Sequence, residues 1–142
     1  MYNLFLDDIR EPRCLGDTRT WEVVRSYNVF VDKITKDGLP RFISFDHDLS
    51  DVHYPQSTED YSKPINYSSE RYHREKTGYH CAVWLVNYCN NRKLPFPEYQ
   101  VHSMNPVGKQ NIIQVIEGFK AIKVIFTEFL MILKTKPPIL MN

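Results

Sequence analysis

Three short polar clusters follow three apolar runs in this chain, and their residue types could carry out phosphate chemistry. Asp7-Asp8 follows YNLFL, Asp46-His47-Asp48 follows RFISF, and His102-Ser103-Met104-Asn105 follows YQV. In an open α/β sheet, ligands bind in the crevice at the carboxyl ends of the strands. If the three runs are neighbouring parallel strands, the three clusters therefore meet at one edge of the sheet.

The acidic residues of these clusters predict a metal site. Asp7, Asp8 and Asp46 supply hard oxygen ligands. Mg²⁺ is usually bound by one or two carboxylates, several waters and phosphate oxygens of the substrate. An acidic pair at one strand end with a third acid from a neighbouring strand fits that pattern, so Mg²⁺ or another divalent cation is the predicted cofactor. The alternative is that these acids cap helices or turns.

The histidines predict proton transfer at the same edge. His47 and His102 each follow an apolar run and could act as general acid or base near neutral pH. Asp48 could orient a histidine or a metal-bound water. Together with Asp46, these three are the predicted catalytic residues. The alternative for either histidine is a buried, hydrogen-bonded side chain.

Four further residues are predicted to bind the substrate. Ser103 and Asn105 could hydrogen-bond a phosphate, and the amides at the start of the following helix form an anion site. Lys109 would add positive charge, and Arg10 could pair with a carboxylate or a phosphate. The alternative for Asn105-Pro106 is simple helix initiation, and surface exposure is the commoner fate of an arginine.

The elements that must position these residues alternate between strand and helix. Strands are predicted over residues 2–6, 21–26, 41–45 and 99–103, and residues 9–18 form a loop. Helices are predicted over residues 28–37, with Asn28 as the N-cap, over residues 79–90, and from Pro106 onwards. Beyond Ala121, the run KVIFTEF could be a last strand and TEFLMILK a helix. Such alternation implies parallel strand pairing.

The length, net charge and cysteine content of the chain limit the class of protein to which it can belong. The 142 residues indicate one domain, with a core over residues 1–121, a polar insertion over 50–78 and an extension over 122–142. With 18 basic and 17 acidic residues the net charge is +1, so no global field attracts nucleic acid or membrane. No DNA-binding motif is present. Three separated cysteines, no signal peptide and no spanning segment indicate a cytoplasmic protein.

These motifs resemble those of the receiver domain of two-component response regulators, and more closely those of a divergent branch, the cyclic-phosphate-processing receiver domains. The resemblance covers residues 1 to about 120 and rests on LFLDDIREP, ISFDHDL, TGYHCAVWLV and VHSMNPVGKQNI. It implies a flavodoxin-like α/β fold of three layers around a central parallel sheet. The chain is expected to depart from the family in two places: the first helix is missing or vestigial, because only about ten loop residues separate Asp8 from the second strand, and the C-terminal edge is divergent.

The resemblance also implies roles for individual positions. Asp7 and Asp8 match the metal-binding pair of receivers, and Asp46 matches their phospho-acceptor. The additions of the branch are matched by His47, Asp48, His102, Ser103 and Asn105. The lysine that ordinary receivers carry after a fifth strand has no counterpart here, because Lys123 and Lys134 are poor candidates.

Three functions follow as hypotheses. The first is a metal-dependent phosphoesterase that binds and opens cyclic phosphates on nucleotides or RNA ends. The second is a phospho-receiver, or a module that binds a phosphorylated ligand without turning it over. The third is an interaction adaptor that uses the tyrosine-rich segment 54–79 as its contact surface.

Overall fold

A four-stranded parallel sheet organises the chain. The computed structural model describes residues 1–49 and 76–135. Its strands are β1 (Asn3–Leu6), β2 (Glu22–Val24), β3 (Phe42–Phe45) and β4 (Glu98–Val101). Their order across the sheet is β2-β1-β3-β4, and every neighbouring pair is parallel. The carboxyl ends of all four strands therefore lie at one edge, which is the α/β arrangement that the alternation predicts.

Three helices pack as a row on one face of the sheet. They are α1 (Tyr27–Asp37), α2 (Gly78–Arg92) and α3 (Pro106–Thr135), with α1 against α2 and α2 against α3. Successive strand residues point to opposite faces. The helices accordingly cover one alternating set of strand residues, which are fully buried: Leu4, Leu6, Ile43 and Phe45.

The opposite face of the sheet is covered by the connection between β1 and β2. This connection holds only a short 3-10 helix, Pro12–Leu15. It then places the guanidinium of Arg19 4.9 Å from the ring centroid of Trp21 and 4.7 Å from that of Phe42. A loop thus supplies the layer in which the resemblance implies a vestigial first helix.

Helix α1 begins where a side chain satisfies one of its first amides. Ser26 Oγ accepts a hydrogen bond from Val29 N at 3.3 Å, so Ser26 is the N-cap of α1 and the prediction of Asn28 is wrong. Serine and asparagine both cap helices well. Ser26 takes the position because β2 ends at Val24, two residues before it, so the helix can begin earlier than Asn28. Gly38, with φ of +81°, ends α1 as predicted.

The end of the described chain is helical. α3 continues without a break to Thr135, so the strand alternative for KVIFTEF is wrong and the helix alternative is confirmed. Its β-branched and aromatic residues favour a strand locally, but extending an existing helix needs no new nucleus. None of the helices that the structure describes combines the length and apolar content needed to cross a bilayer.

Several predictions fall on residues outside the described ranges. The polar insertion lies there except for residues 76–78, as does most of the tyrosine-rich segment 54–79. Residues 136–142 of the predicted extension also lie outside them. The division of the chain into core, insertion and extension stays a prediction.

Candidate functional site

Three side chains from three neighbouring strands meet at the carboxyl edge of the sheet. Asp7 follows β1, Asp46 follows β3 and His102 follows β4, and one ligand atom from each lies within 4.8 Å of the other two. Asp7 and Asp46 are fully buried. Asp8 is half-buried beside Asp7 and does not belong to this group. The structure thus brings together two of the three predicted metal ligands and one predicted catalytic histidine.

The carboxylate of Asp7 accepts four hydrogen bonds. Oδ1 accepts from the amides of Ile9 at 2.9 Å and Arg10 at 2.8 Å, and Oδ2 accepts from Arg10 Nε at 2.9 Å and His102 Nε2 at 3.0 Å. Burial by itself would raise the pKa of Asp7, but the bonds from His102 and the two amides outweigh it and lower this pKa to about 2. Asp7 is therefore a permanent carboxylate at neutral pH.

This low pKa predicts a loss of stability in acid. The pKa of Asp7 is about 2 when folded against 3.8 ordinarily, so the unfolded chain binds its proton more readily. The resulting stabilisation of about 2 kcal/mol is complete above about pH 4 and is lost as the pH falls through 2. Urea unfolding with a chelator present should show a steeper pH dependence between pH 2 and 4 for the wild type than for Asp7→Asn. Equal slopes would contradict the assignment.

Arg10 is the cation of the site. Its Nε binds Asp7 Oδ2 and its Nη2 lies 3.5 Å from Asp46 Oδ1, so one guanidinium bridges two buried carboxylates. The backbone that carries Arg10 is held in turn by Arg25, directly after β2. Arg25 Nη1 donates to the carbonyl oxygens of Arg10 at 2.6 Å and Asp7 at 3.2 Å.

His47 and Asp48 form a second pair beside this group. Asp48 Oδ1 lies 2.9 Å from His47 Nδ1, and both side chains are buried. A carboxylate can only accept, so Nδ1 carries the proton and the lone pair of the neutral ring lies on Nε2. The predicted orienting contact between Asp48 and a histidine is thus present.

A cavity of about 320 Å³ opens over these groups. Its walls are Asp7, Ile9, Arg10, Asp46, Asp48 and Met104. Four of these six residues are charged, but their carboxylates are buried and the surface that faces the cavity is mainly apolar. Ile9 and Met104 are exposed. This volume lies at the lower end of the range for small-molecule pockets.

The two carboxylates at this edge fit a divalent cation such as Mg²⁺ or Mn²⁺. His102 Nε2 donates a hydrogen bond to Asp7, so this nitrogen orients a carboxylate and has no lone pair for a cation. The guanidinium of Arg10 holds both carboxylates in this structure. A bound cation would replace it on at least one of them, which frees Arg10 to turn towards the cavity.

The comparison with protein families agrees with this geometry. The model of the cyclic-phosphate processing receiver domain matches residues 2–118. The chain belongs to this family. No curated protein and no solved structure matches it. The family and the α/β fold that the resemblance implies are therefore confirmed, and the family's description links the chain to the processing of cyclic phosphates.

Two glycines within the motifs of this family let the helices approach the site closely. A Cβ at Gly78, in TGYH, would lie 1.7 Å from the carbonyl oxygen of Asp46, and the Gly78 amide donates to His47 O at 2.7 Å. A Cβ at Gly108, in NPVGKQ, would lie 2.3 Å from Cγ of the His47 ring. Both helix starts thus hold the 46–48 segment in place.

The predicted phosphate-binding residues mainly shape the start of α3. Asn105 Oδ1 accepts from Gly108 N at 3.0 Å, and the Asn105 carbonyl accepts from Lys109 N at 2.9 Å. Ser103 Oγ accepts from Asn105 N at 3.1 Å. Asn105 Nδ2 also points to Asp48 Oδ1 at 3.4 Å, which ties the cap to the site. The helix-initiation role is therefore present, and phosphate binding by Ser103, Asn105 and Lys109 stays a prediction.

Two residues that the sequence does not single out contact His102 on the side away from Asp7. Gln100 Nε2 donates to Ser44 Oγ at 3.0 Å, and Ser44 Oγ lies 2.7 Å from His102 Nδ1. Because the Asp7 carboxylate can only accept, its bond with Nε2 uses the proton of the neutral ring, and the Ser44 hydroxyl donates to Nδ1. The ring proton therefore lies on Nε2, which donates to Asp7. Phe5 stacks on the ring with a centroid separation of 4.5 Å.

The sequence gives little indication of this chain of hydrogen bonds from Gln100 through Ser44 to His102. Ser44 is a single hydroxyl inside an apolar strand, and Gln100 lies two residues before His102 on the same face of β4. Only the register shows that they pair, because Ser44 lies directly opposite Gln100.

Reversing the polarity of the Gln100–Ser44 hydrogen bond should add a proton to the ring. Gln100→Glu supplies an acceptor where the amide donates, so Ser44 is expected to donate to Glu and to accept from His102 Nδ1. Because Asp7 still accepts from Nε2–H, ¹⁵N NMR should then report a proton on both ring nitrogens. Gln100→Met, which removes the donor without adding an acceptor, should keep Nε2–H alone. An unchanged protonation state in the Gln100→Glu variant would show that Gln100 does not set it.

Proposed function

We propose that this domain is a metal-dependent phosphoesterase that opens cyclic phosphates on nucleotides or RNA ends. The observation that carries the proposal is the group of Asp7 and Asp46 at one sheet edge, in a cavity that is also lined by Asp48 of the His47–Asp48 pair. This combination supplies two carboxylates for a cation and a histidine that is bonded to a wall of the same cavity. The family description supports the substrate class.

Charge balance supports a metal in this site. Asp7, Asp46 and Asp48 line the cavity with one guanidinium, so the cavity is negative without a further cation. A cyclic phosphate carries one negative charge and would be repelled. Asp7 and Asp46 would hold a divalent cation, with His102 orienting Asp7, and the chemistry of the cation here would be to neutralise the phosphate and lower the pKa of a bound water.

The residues around the cation would bind and orient the substrate. Arg10, once displaced from one carboxylate, is placed to form charge-assisted hydrogen bonds with phosphate oxygens. Ile9 and Met104 offer apolar rim contacts to a sugar or a base. The cavity volume suits a mononucleotide or the last nucleotide of an RNA.

His47 would carry the proton. Its ring is buried and is not a wall of the cavity, so the step requires a movement that brings Nε2 to the substrate. The Nε2 lone pair would then take a proton from the attacking water as the new P–O bond forms. The imidazolium, stabilised by Asp48, then returns a proton to the ribose oxygen as the ring P–O bond breaks. His102 differs, because its Nε2–H is committed to Asp7 and its role is to orient that carboxylate.

The direct test is turnover of 2′,3′-cyclic nucleotides in the presence of Mg²⁺ or Mn²⁺. The expected product is a 2′- or 3′-monophosphate that contains one oxygen from H₂¹⁸O, with loss of turnover in a chelator. Failure across the four nucleosides, a cyclic-phosphate RNA end and several divalent cations would overturn the proposal.

Acetyl phosphate separates this function from that of a phospho-receiver. A covalent adduct on Asp46, without turnover of cyclic nucleotides, would favour the receiver. Lys123 is no substitute for the receiver lysine, because its Nζ donates to Leu94 O at 3.0 Å. Leu94 precedes β4 and so lies at the amino edge of the sheet, away from Asp46.

A further inference from the structure

The second half of α3 is an exposed helix that the proposed function does not use. Residues 121–135, here called the α3 extension, lie beyond the part that the family model matches, which ends at residue 118. Every residue of the α3 extension is exposed, although most of them are apolar. A soluble domain rarely leaves such a surface uncovered without an interaction to explain it.

Six large apolar side chains of the α3 extension repeat at the spacing of a coiled coil. They are Ile122, Ile125, Phe126, Phe129, Ile132 and Leu133, and each is between 49% and 69% exposed. Steps of three and four residues place them on one stripe of a helix with 3.6 residues per turn. This stripe is called the heptad face below.

The heptad face points away from the rest of the domain. Lys123 Nζ binds the Leu94 carbonyl, and Lys123 and Thr127 line a cavity of about 490 Å³ between the helix and Phe96. These residues lie on the side of α3 opposite Phe129, because they differ from the heptad face by about half a turn. None of residues 1–49 and 76–120 therefore covers this face, and the edge that carries the candidate site lies at the other end of the sheet.

We propose that the heptad face packs against the α3 extension of a second copy of this chain. The heptad spacing specifies a helix as the partner, because each side chain of such a seam fits between side chains of a facing helix. A second copy presents the same apolar stripe, while the charged side chains of Lys123, Glu128 and Lys134 lie outside the six-residue stripe and face no like charge at its centre.

The exposed area agrees with a dimer. The six side chains leave roughly 700 Å² uncovered, close to the ~800 Å² per partner that a standard interface buries. A two-fold pair closes on itself, so association should stop at two copies. Both active edges stay accessible, because the α3 extension lies at the amino edge of the sheet.

Sedimentation of the full chain between about 1 and 100 μM tests this proposal. We expect a monomer–dimer equilibrium in this range, and Phe129→Lys should weaken dimerisation at least about tenfold. Met131→Lys is the matched control, because Met131 is exposed at 62%, against 53% for Phe129, but lies off the heptad face. It should dimerise like the wild type.

Three results would overturn the proposal. They are a wild type that stays monomeric at 100 μM, equal weakening by both substitutions, and assembly beyond the dimer. Co-sedimentation of the monomer with phosphatidylcholine–phosphatidylserine vesicles, abolished by Phe129→Lys, would assign the face to a membrane instead. Circular dichroism checks that both variants stay folded, and cyclic-nucleotide turnover by the Phe129→Lys monomer keeps this outcome separate from the proposed activity.

Discussion

Gly108→Ala is expected to lower the turnover of a 2′,3′-cyclic nucleotide about 100-fold, because a catalytic ring displaced by about 1 Å costs that much. A Cβ at position 108 would lie 2.3 to 2.6 Å from three atoms of the His47 ring. The ring is buried and bonded to Asp48, so it cannot yield without losing the orientation that the proposed mechanism needs. Overpacking of this kind also costs about 1–3 kcal/mol of stability.

Gly118→Ala is the matched control in the same helix. No atom lies within 4 Å of a Cβ at this position, so turnover should stay at the wild-type level. The exposed helix should gain about 0.5–1 kcal/mol, because glycine is a poor helix former. Steady-state kinetics and thermal unfolding of both variants measure the contrast. Full turnover in Gly108→Ala would show that the position of the His47 ring is unimportant.

His47→Gln should reduce turnover by about 10²- to 10⁴-fold, the usual contribution of a general acid–base group. Glutamine keeps polar atoms near Asp48 but cannot exchange a proton at neutral pH. The loss should appear in kcat, and the pH dependence that reports the histidine should disappear. Single-turnover kinetics from pH 5 to 9 measure both effects.

The affinity for Mn²⁺ distinguishes the proposed metal ligands from the His47–Asp48 pair. His47 is not among the three side chains of the acidic group, so His47→Gln should bind Mn²⁺ as the wild type does. Asp46→Asn should lose both metal affinity and turnover. Equal loss of Mn²⁺ binding in the two variants would place His47 with the metal ligands and contradict its assignment as the proton carrier.

The position of the site could be predicted from the sequence because strand ends are local features. Apolar runs that stop at Asp7, Asp46 and His102 fix both the strands and the edge at which they meet. Parallel pairing then follows from the alternation with helices. The motifs that carry the resemblance also contain Gly78 and Gly108. Glycine is required at both positions because neither has room for a Cβ.

The contacts between distant residues could not be predicted in the same way. Arg10 bridging two carboxylates depends on the path of one loop, and the pairing of Ser44 with Gln100 depends on strand register across 56 residues. Either ring nitrogen of a histidine can carry the proton, and the partners of His102 in the fold place it on Nε2. The tautomer is therefore set by the hydrogen-bond network and cannot be predicted from the residue type.

The C-terminal helix shows a different limit. Composition favours a strand over KVIFTEF, while the heptad spacing of Ile122, Phe129 and their neighbours favours a helix. The segment is helical because it continues the buried turns of α3 around Ile112 and Ile116. Those turns have already nucleated the helix, so each further residue only extends it.

Arg25 has a consequence for how the β1–β2 connection can vary in length. Its guanidinium ties the carbonyl oxygens of Asp7 and Arg10 together, while residues 13–16, at the 3-10 helix and its end, are exposed. Insertions between residues 8 and 11 should therefore displace the guanidinium of Arg10. Insertions after the 3-10 helix should be tolerated, as they are in ordinary surface loops. Relatives with longer connections are thus expected to carry the added residues on the far side of that helix.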